Sequence, residues 1–262
     1  NALSEPEYGS SVEIPLGIVR AKLDLGLIDE ARDSLRDTSE RLQRDWRYRW
    51  YEGITYLLLD QFNDALTSFH HVLTMLPGEP APKLALAATL ELIQQRLGIA
   101  NASLLEPSVA RAAANLSSAL DNVAADTPEI FSPAWASESL SPQTIRFNTL
   151  RLYAVVWAAN PTTVSSAFGL ARQLASERQH EMAISQLDRV PGNSRHHRMA
   201  RLTTILMLTS GMPSELTESR IRRAARRLVE LPTNEPRMPQ LRVAVMASAL
   251  NWLRNSNLDH AA

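Results

Sequence analysis

The chain has 262 residues, a formal net charge of −1 and no cysteine. That length suffices for one extended domain or two compact ones, the balanced charge gives no global pull toward nucleic acid or an anionic membrane, and the missing thiols exclude disulfide scaffolds and thiolate metal sites. Only 9 glycines and 6% aromatics, beside plentiful Ala and Leu, favour helix over sheet. No apolar run reaches transmembrane length and no basic-then-apolar leader opens the chain, so a cytoplasmic protein without membrane insertion is expected.

Residues 3–11, with Pro6 and Gly9, read as a lead-in loop. From Val12 the apolar positions Leu16, Val19 and Leu23 recur at helical spacing, Gly26 interrupts, and Ile28, Ala31, Leu35 and Leu42 continue on a second helix. This first pair spans about 12–42. A second pair is expected at about 46–76, as helices 46–59 and 62–75, closed by Leu76-Pro77-Gly78 because proline cannot continue a helix. The two pairs echo one another 34 residues apart: Ala31 and Ala65, Leu35 and Phe69, Thr38 and Val72. Trp50-Tyr51-Glu52-Gly53-Ile54-Thr55-Tyr56, Ala65, Phe69 and Pro77 carry most of a tetratricopeptide (TPR) signature. Gly53 and Ala65 are small so that the antiparallel helices approach closely, and Tyr56 and Phe69 fill the space between neighbours.

The expected fold is therefore all-α, a TPR-like alpha-alpha superhelix, a solenoid of antiparallel helix pairs forming a single domain over 1–262. A third pair starts at Pro80 and runs to about 159. The register lapses near residue 93 and returns at Phe168-Gly169-Leu170-Ala171-Arg172, with Ala171 and then Ala183 at repeat-packing positions. Ala183 lies 118 residues after Ala65, and two repeats account for 68 of these, which leaves about 50 for an insertion at 94–143. Its first part reads as one amphipathic helix after Pro107, through Val109, Ala113, Leu116, Leu120 and Val123. Its second part, 126–143, reads as a loop with Phe131 and Trp135 as anchors that tack it onto the solenoid. A helix at 143–159 completes the third pair. Pairs at 162–190 and 195–231 and a final helix at 237–254 follow. Asn1 in place of a methionine, and a last helix that breaks off near Asn255, read as signs of a piece of a longer protein.

Chemistry is scarce. Adjacent histidines, His70-His71 and His196-His197, point in different directions on a helix and make no chelate, and His180 and His260 stand alone. There is no Gly-rich phosphate loop, no Gly-x-Ser-x-Gly, no His-Arg-Asp loop and no Asp-Phe-Gly. No catalytic, cofactor-binding or metal-binding residue is assigned, and no enzyme activity is expected of this chain. Arg220, Arg222, Arg223, Arg226 and Arg227 suit either an acidic partner or a solvated helix face balanced by Glu215, Glu218 and Glu230. Arg41, Arg44, Arg47 and Arg49 interleave with Trp46, Tyr48 and Trp50, which repeat packing explains better than single-stranded nucleic acid; the helix there follows Asp45 as its cap. In a TPR stack the first helix of each pair lines the groove. The inward offsets are Leu16 and Arg20 in pair one, Arg47, Trp50, Tyr51 and Ile54 in pair two, and Phe168 and Arg172 in pair four. Arginines among apolar residues suit a peptide that bears a carboxylate or phosphate, unless the insertion or a second copy covers them.

Longer blocks carry a family resemblance. Ser11-Val12-Glu13-Ile14-Pro15-Leu16, Pro77-Gly78-Glu79-Pro80-Ala81-Pro82-Lys83-Leu84, Ser166-Ala167-Phe168-Gly169, Ser194-Arg195-His196-His197, Ala200-Arg201-Leu202-Thr203, Ala224-Ala225-Arg226-Arg227 and Ala249-Leu250-Asn251-Trp252-Leu253 look like the C-terminal TPR region of actinobacterial protein kinase G, of a corynebacterial-like kind. The resemblance implies a parent with a rubredoxin-like module that holds iron and a serine/threonine kinase domain that uses ATP and Mg. None of those residues has a counterpart here. It also implies protein partners only: the parent's own kinase domain, a second copy in a homodimer, or a forkhead-associated-domain substrate that regulates 2-oxoglutarate dehydrogenase and glutamate metabolism. The insertion departs from the mycobacterial members. The alternative is a free-standing TPR adaptor that binds a peptide in its groove.

Overall fold

The computed structural model describes residues 13–37, 40–96, 142–211 and 215–259, and every regular element among them is a helix. The expected insertion helix, Phe131 and Trp135 lie outside the described residues. Where the sequence reads as one domain, the chain clusters as two compact units, Asn1–Val156 and Trp157–Ala262. A helical repeat contacts only its neighbours, so no single core holds such a chain together.

The first unit begins with α1 (Glu13–Asp24) and α2 (Ile28–Arg36), followed by the short α3 (Glu40–Gln43). The second expected helix of this pair therefore stops at Arg36, short of Leu42, which sits on α3 and still packs on the core. That core is Leu16, Val19, Ala31, Leu35 and Tyr48. The next pair is α4 (Trp46–Leu58) and α5 (Phe62–Met75). The Asp45 carboxylate caps α4 by accepting from the Arg47 amide at 2.9 Å. Then come α6 (Pro80–Arg96) and α7 (Pro142–Ala159), which each open on a proline, whose missing N–H costs nothing in a first turn. Polar contacts join α6 to α7, which are distant in the chain. Gln94 Nε2 donates to Thr149 Oγ1 at 2.7 Å, and Tyr153 OH donates to Glu91 Oε2 at 2.8 Å. The boundary between the units falls inside α7.

The second unit continues from Trp157 through α8 (Val164–Ser176), α9 (His180–Asp188), α10 (His197–Thr209), α11 (Glu218–Val229) and α12 (Met238–Asp259). α12 runs past the expected stop near Asn255. Ile184, Leu202, Ile205, Leu208, Ala224, Leu231, Leu241 and Val245 form its core.

The 34-residue period is written in the backbone as well as in side chains. The turns of the α1–α2, α4–α5 and α8–α9 hairpins each hold one residue in the left-handed region: Gly26 (φ 75°), Asp60 (φ 61°) and Arg178 (φ 58°). The next amide in each case bonds five residues back, Leu27 to Lys22 and Gln61 to Tyr56 at 2.9 Å, and Gln179 to Leu174 at 2.8 Å. These are Schellman closures, which satisfy the last carbonyls of the first helix and reverse the chain. They sit 34 and 118 residues apart, the same intervals that separate Ala31, Ala65 and Ala183, which are all fully buried. Only the first carries the glycine that would announce it.

Candidate partner-binding groove

α1 packs against both α2 and α4. Residues three and four apart share a helix face, so Arg20, Leu23 and Asp24 of α1 and Trp50, Tyr51, Ile54 and Leu58 of α4 each form one stripe. Together they line a cavity of about 370 Å³. Its walls are apolar and aromatic. At its rim Arg20 and Asp24, both largely exposed, pair at 3.7 Å one helical turn apart, a contact weak enough in water to yield to a competing charge. Trp50 is braced from behind by Phe69, with ring centroids 5.4 Å apart and planes at 60°.

Four of the eight expected groove residues meet here: Arg20, Trp50, Tyr51 and Ile54. Leu16 does not. It is 3% exposed and belongs to the core, because α1 is covered by α2 and α4 at once. Arg47 does not line the cavity either. Its guanidinium holds Asp45 at 2.9 and 3.0 Å and Glu13 at 2.6 Å, which ties the start of α4 to the start of α1. The hydrogen bond from Arg47 keeps the Asp45 carboxyl below the usual carboxylate range. Phe168, half-buried, and Arg172, exposed, lie on α8 of the second unit. Leu23, Asp24 and Leu58 complete the lining; the signal that would have found them is their spacing of three or four from Arg20 and Ile54.

The packing residues behind the groove are tight. A Cβ on Gly53 would stand 2.6 Å from Cε1 of Phe69, which is 1% exposed. In the second unit Ala171 and Ala183 are buried, as Ala65 is in the first. Tyr56 is only half-buried, and Pro77 is exposed in the turn after α5. Tyr56 therefore seals an edge instead of filling a core, and burial raises its phenol pKa.

Within the arginine run of α11, two residues clamp the helix to its neighbour. Arg223 pairs with Glu181 at 2.6 Å, and Arg227 makes a bidentate pair with Asp188 at 2.5 and 2.6 Å, so α11 is tied to α9. Arg222 pairs within α11 with Glu218. Arg220 donates to the carbonyls of Met207, Ser210 and Glu215 at 2.8, 3.1 and 3.1 Å. Glu181 and Asp188 thus join Glu218 and Glu230 in balancing the run. Helix spacing shows what lies along α11, whereas a partner on α9, about 40 residues away, needs the fold.

A polar recess of about 290 Å³ is lined by Arg178, Gln179, His180, Glu181, Glu215 and Arg220. His180 Nδ1 is buried with no hydrogen-bond partner among the described residues. Burial first, and then the charge of Arg220, hold the His180 pKa below the ordinary histidine value, with Glu215 and Glu181 opposing. On acidification the unfolded chain takes up this proton before the folded one does. The stabilisation is whole above about pH 6.5 and is lost as pH falls through the folded pKa. The urea midpoint should therefore drop between about pH 7.5 and 5.5, and His180→Gln should flatten that dependence. Equal slopes for both proteins would remove His180 as its source.

Among the described residues no group of His, Asp and Glu is placed to hold a metal ion, and no helix is long and apolar enough to cross a membrane.

The family described as "Protein kinase G tetratricopeptide repeat" matches residues 2–262. Serine/threonine-protein kinase PknG of Mycolicibacterium smegmatis is 36% identical over 251 residues, which cover 95% of this chain and 26% of that protein. The protein of the same name in Mycobacterium leprae has the same identity and coverage. The chain thus spans about a quarter of the length of these curated relatives. Among solved structures, a thermophilic TPR protein of Thermus thermophilus aligns with 92% of this chain and all of its own at 13% identity and a TM-score of 0.47.

Proposed function

The chain belongs to the protein kinase G tetratricopeptide repeat family, and from that premise we propose that it is the protein-binding scaffold of a cytoplasmic serine/threonine kinase, one that recruits a forkhead-associated-domain substrate and brings two copies of the kinase together. Phosphoryl transfer, with its ATP, Mg and rubredoxin-type iron, then belongs to other modules of the parent. A TPR region acts by contact between proteins.

The observation that carries this reading is the α1–α4 cavity. Trp50, Tyr51, Ile54, Leu23 and Leu58 make a preformed apolar wall, and Arg20 at its rim can exchange Asp24 for an acidic group on the incoming partner. Binding there leaves the packing of α4 on α5 untouched.

Calorimetric titration of the purified chain with the forkhead-associated-domain protein, beside light scattering of the chain alone, tests it. Tyr51→Ala and Ile54→Asp should each weaken binding by about tenfold or more, with melting curves within a few degrees of the parent chain. Absence of heat with the substrate, together with a strictly monomeric mass, would sink the scaffold role.

A further inference from the structure

α12 carries apolar side chains on two faces. Leu241, Val245 and Ser248 are buried on one, and Trp252 is half-buried below them. This face closes the core of the second unit; Ser248 Oγ donates to the Thr209 carbonyl of α10 at 3.0 Å as well as to Ala244 in its own helix at 2.8 Å. The other face presents Val243, Met246, Leu250 and Leu253, which are 66%, 65%, 54% and 47% exposed. Their steps of three, four and three residues are the a/d spacing of a helix–helix seam. A helix that is apolar on both faces is suited to being covered on both.

The charges around this row indicate what covers it. Between Met238 and Ser256 the only ionisable side chains are Arg242 and Arg254, both exposed, next to Val243 and Leu253 at the two ends of the row. There is no acid in that stretch. We propose that the outer face of α12 is a docking surface for an amphipathic helix of a partner protein whose flanking residues are acidic. Apolar side chains of the partner enter the spaces between Val243, Met246, Leu250 and Leu253, and its carboxylates meet Arg242 and Arg254. A second copy of the same face is a poorer occupant: in either direction it brings two more arginines and no carboxylate. A bilayer is poorer still, because the row is one side chain wide, its opposite face is committed to the protein core, and two arginines are few for an interfacial helix. The surface shares no residue with the α1–α4 groove, so the two proposals are tested by different substitutions.

The test uses a synthetic, fluorescein-labelled 21-residue helix with Leu at its a and d positions and Glu at e and g, titrated with the whole chain and followed by anisotropy. Binding is expected, weakening several-fold as salt is raised. Met246→Glu with Leu250→Glu should weaken it by about tenfold or more and leave the melting curve in place, since both positions are exposed. Ile54→Asp should have no effect on this peptide. Reversing Arg242 and Arg254 to Glu should transfer the preference to a peptide with Lys at e and g. Failure to bind, or equal binding of the Glu- and Lys-flanked peptides by the parent chain, overturns the proposal. So does a dimer that Met246→Glu with Leu250→Glu returns to monomer, or binding to phosphatidylserine vesicles that the same change abolishes. The first of these would assign the face to a second copy and the second to a membrane.

Discussion

Replacing Gly53 with leucine should destabilise the first unit by about 3 kcal/mol or more, the upper part of the range for overpacking a dense core. The cause is local. A Cβ at residue 53 would meet three Phe69 ring carbons at 2.6, 2.8 and 3.0 Å, and that ring also packs on Trp50, 5.4 Å between centroids. The remaining leucine carbons have nowhere to go without parting α4 from α5. For a chain of this size such a loss lowers the melting temperature by on the order of 10 °C. Alanine is the sharper probe, because at an open helical site Gly→Ala gains about 1 kcal/mol in helix propensity. Here the contact should override that gain, so Gly53→Ala is expected to melt below the parent chain. Combining it with Phe69→Leu, which draws back the opposing ring, should recover part of the loss in a double-mutant cycle. A Gly53→Ala protein that melts above the parent would show that the helices are not held as closely as the structure has them. Trp50 leans on the same ring, so the alanine variant should also bind groove partners more weakly.

The second large effect is expected at Trp157, the largest fully buried side chain among the described residues. Trp157→Ala should cost about 3–5 kcal/mol, the range for emptying a buried indole site. Its Nε1 has no hydrogen-bond partner among the described residues, so the loss is one of packing and not of a polar contact. The Arg189 guanidinium lies 5.8 Å from the ring centroid and adds a smaller cation–π component. Trp157→Phe should retain most of the stability, since it keeps an aromatic face for Arg189 and fills much of the volume. Guanidinium unfolding followed by circular dichroism separates the two variants. A cost below about 1 kcal/mol for alanine would mean that the site collapses around the gap, against the close packing of its surroundings.

Helix positions and the groove differ in how far they could be foreseen. The α4–α5 hairpin is legible because each requirement is local: an Asp45 cap, a helical apolar stripe, a small residue at the crossing and a proline after the end. The opening of α7 at Pro142 is legible because the repeat resumes at a fixed distance. Groove residues are harder. Leu16 and Arg20 stand one turn apart on α1, yet Leu16 is core while Arg20 lines the cavity, because α1 touches two helices and their placement decides where cover ends. Arg47 has the right offset for the groove and is withdrawn from it by Asp45 and by Glu13, which lies 34 residues earlier in the chain.

The residues alone show the all-helical class, the 34-residue repeat, the blocks that resemble the family and the bounds of the α4–α5 hairpin. These follow from patterns that repeat every three or four residues and every 34, and a pattern is readable wherever its cause is local. The division into two units, the left-handed closures at Asp60 and Arg178, the pairing of Arg223 and Arg227 with Glu181 and Asp188, and the exposed outer row of α12 are visible only in the folded chain. Each depends on what another part of the chain places opposite a side chain. Periodicity sets the direction in which a residue points along its helix, and the fold sets what it meets there.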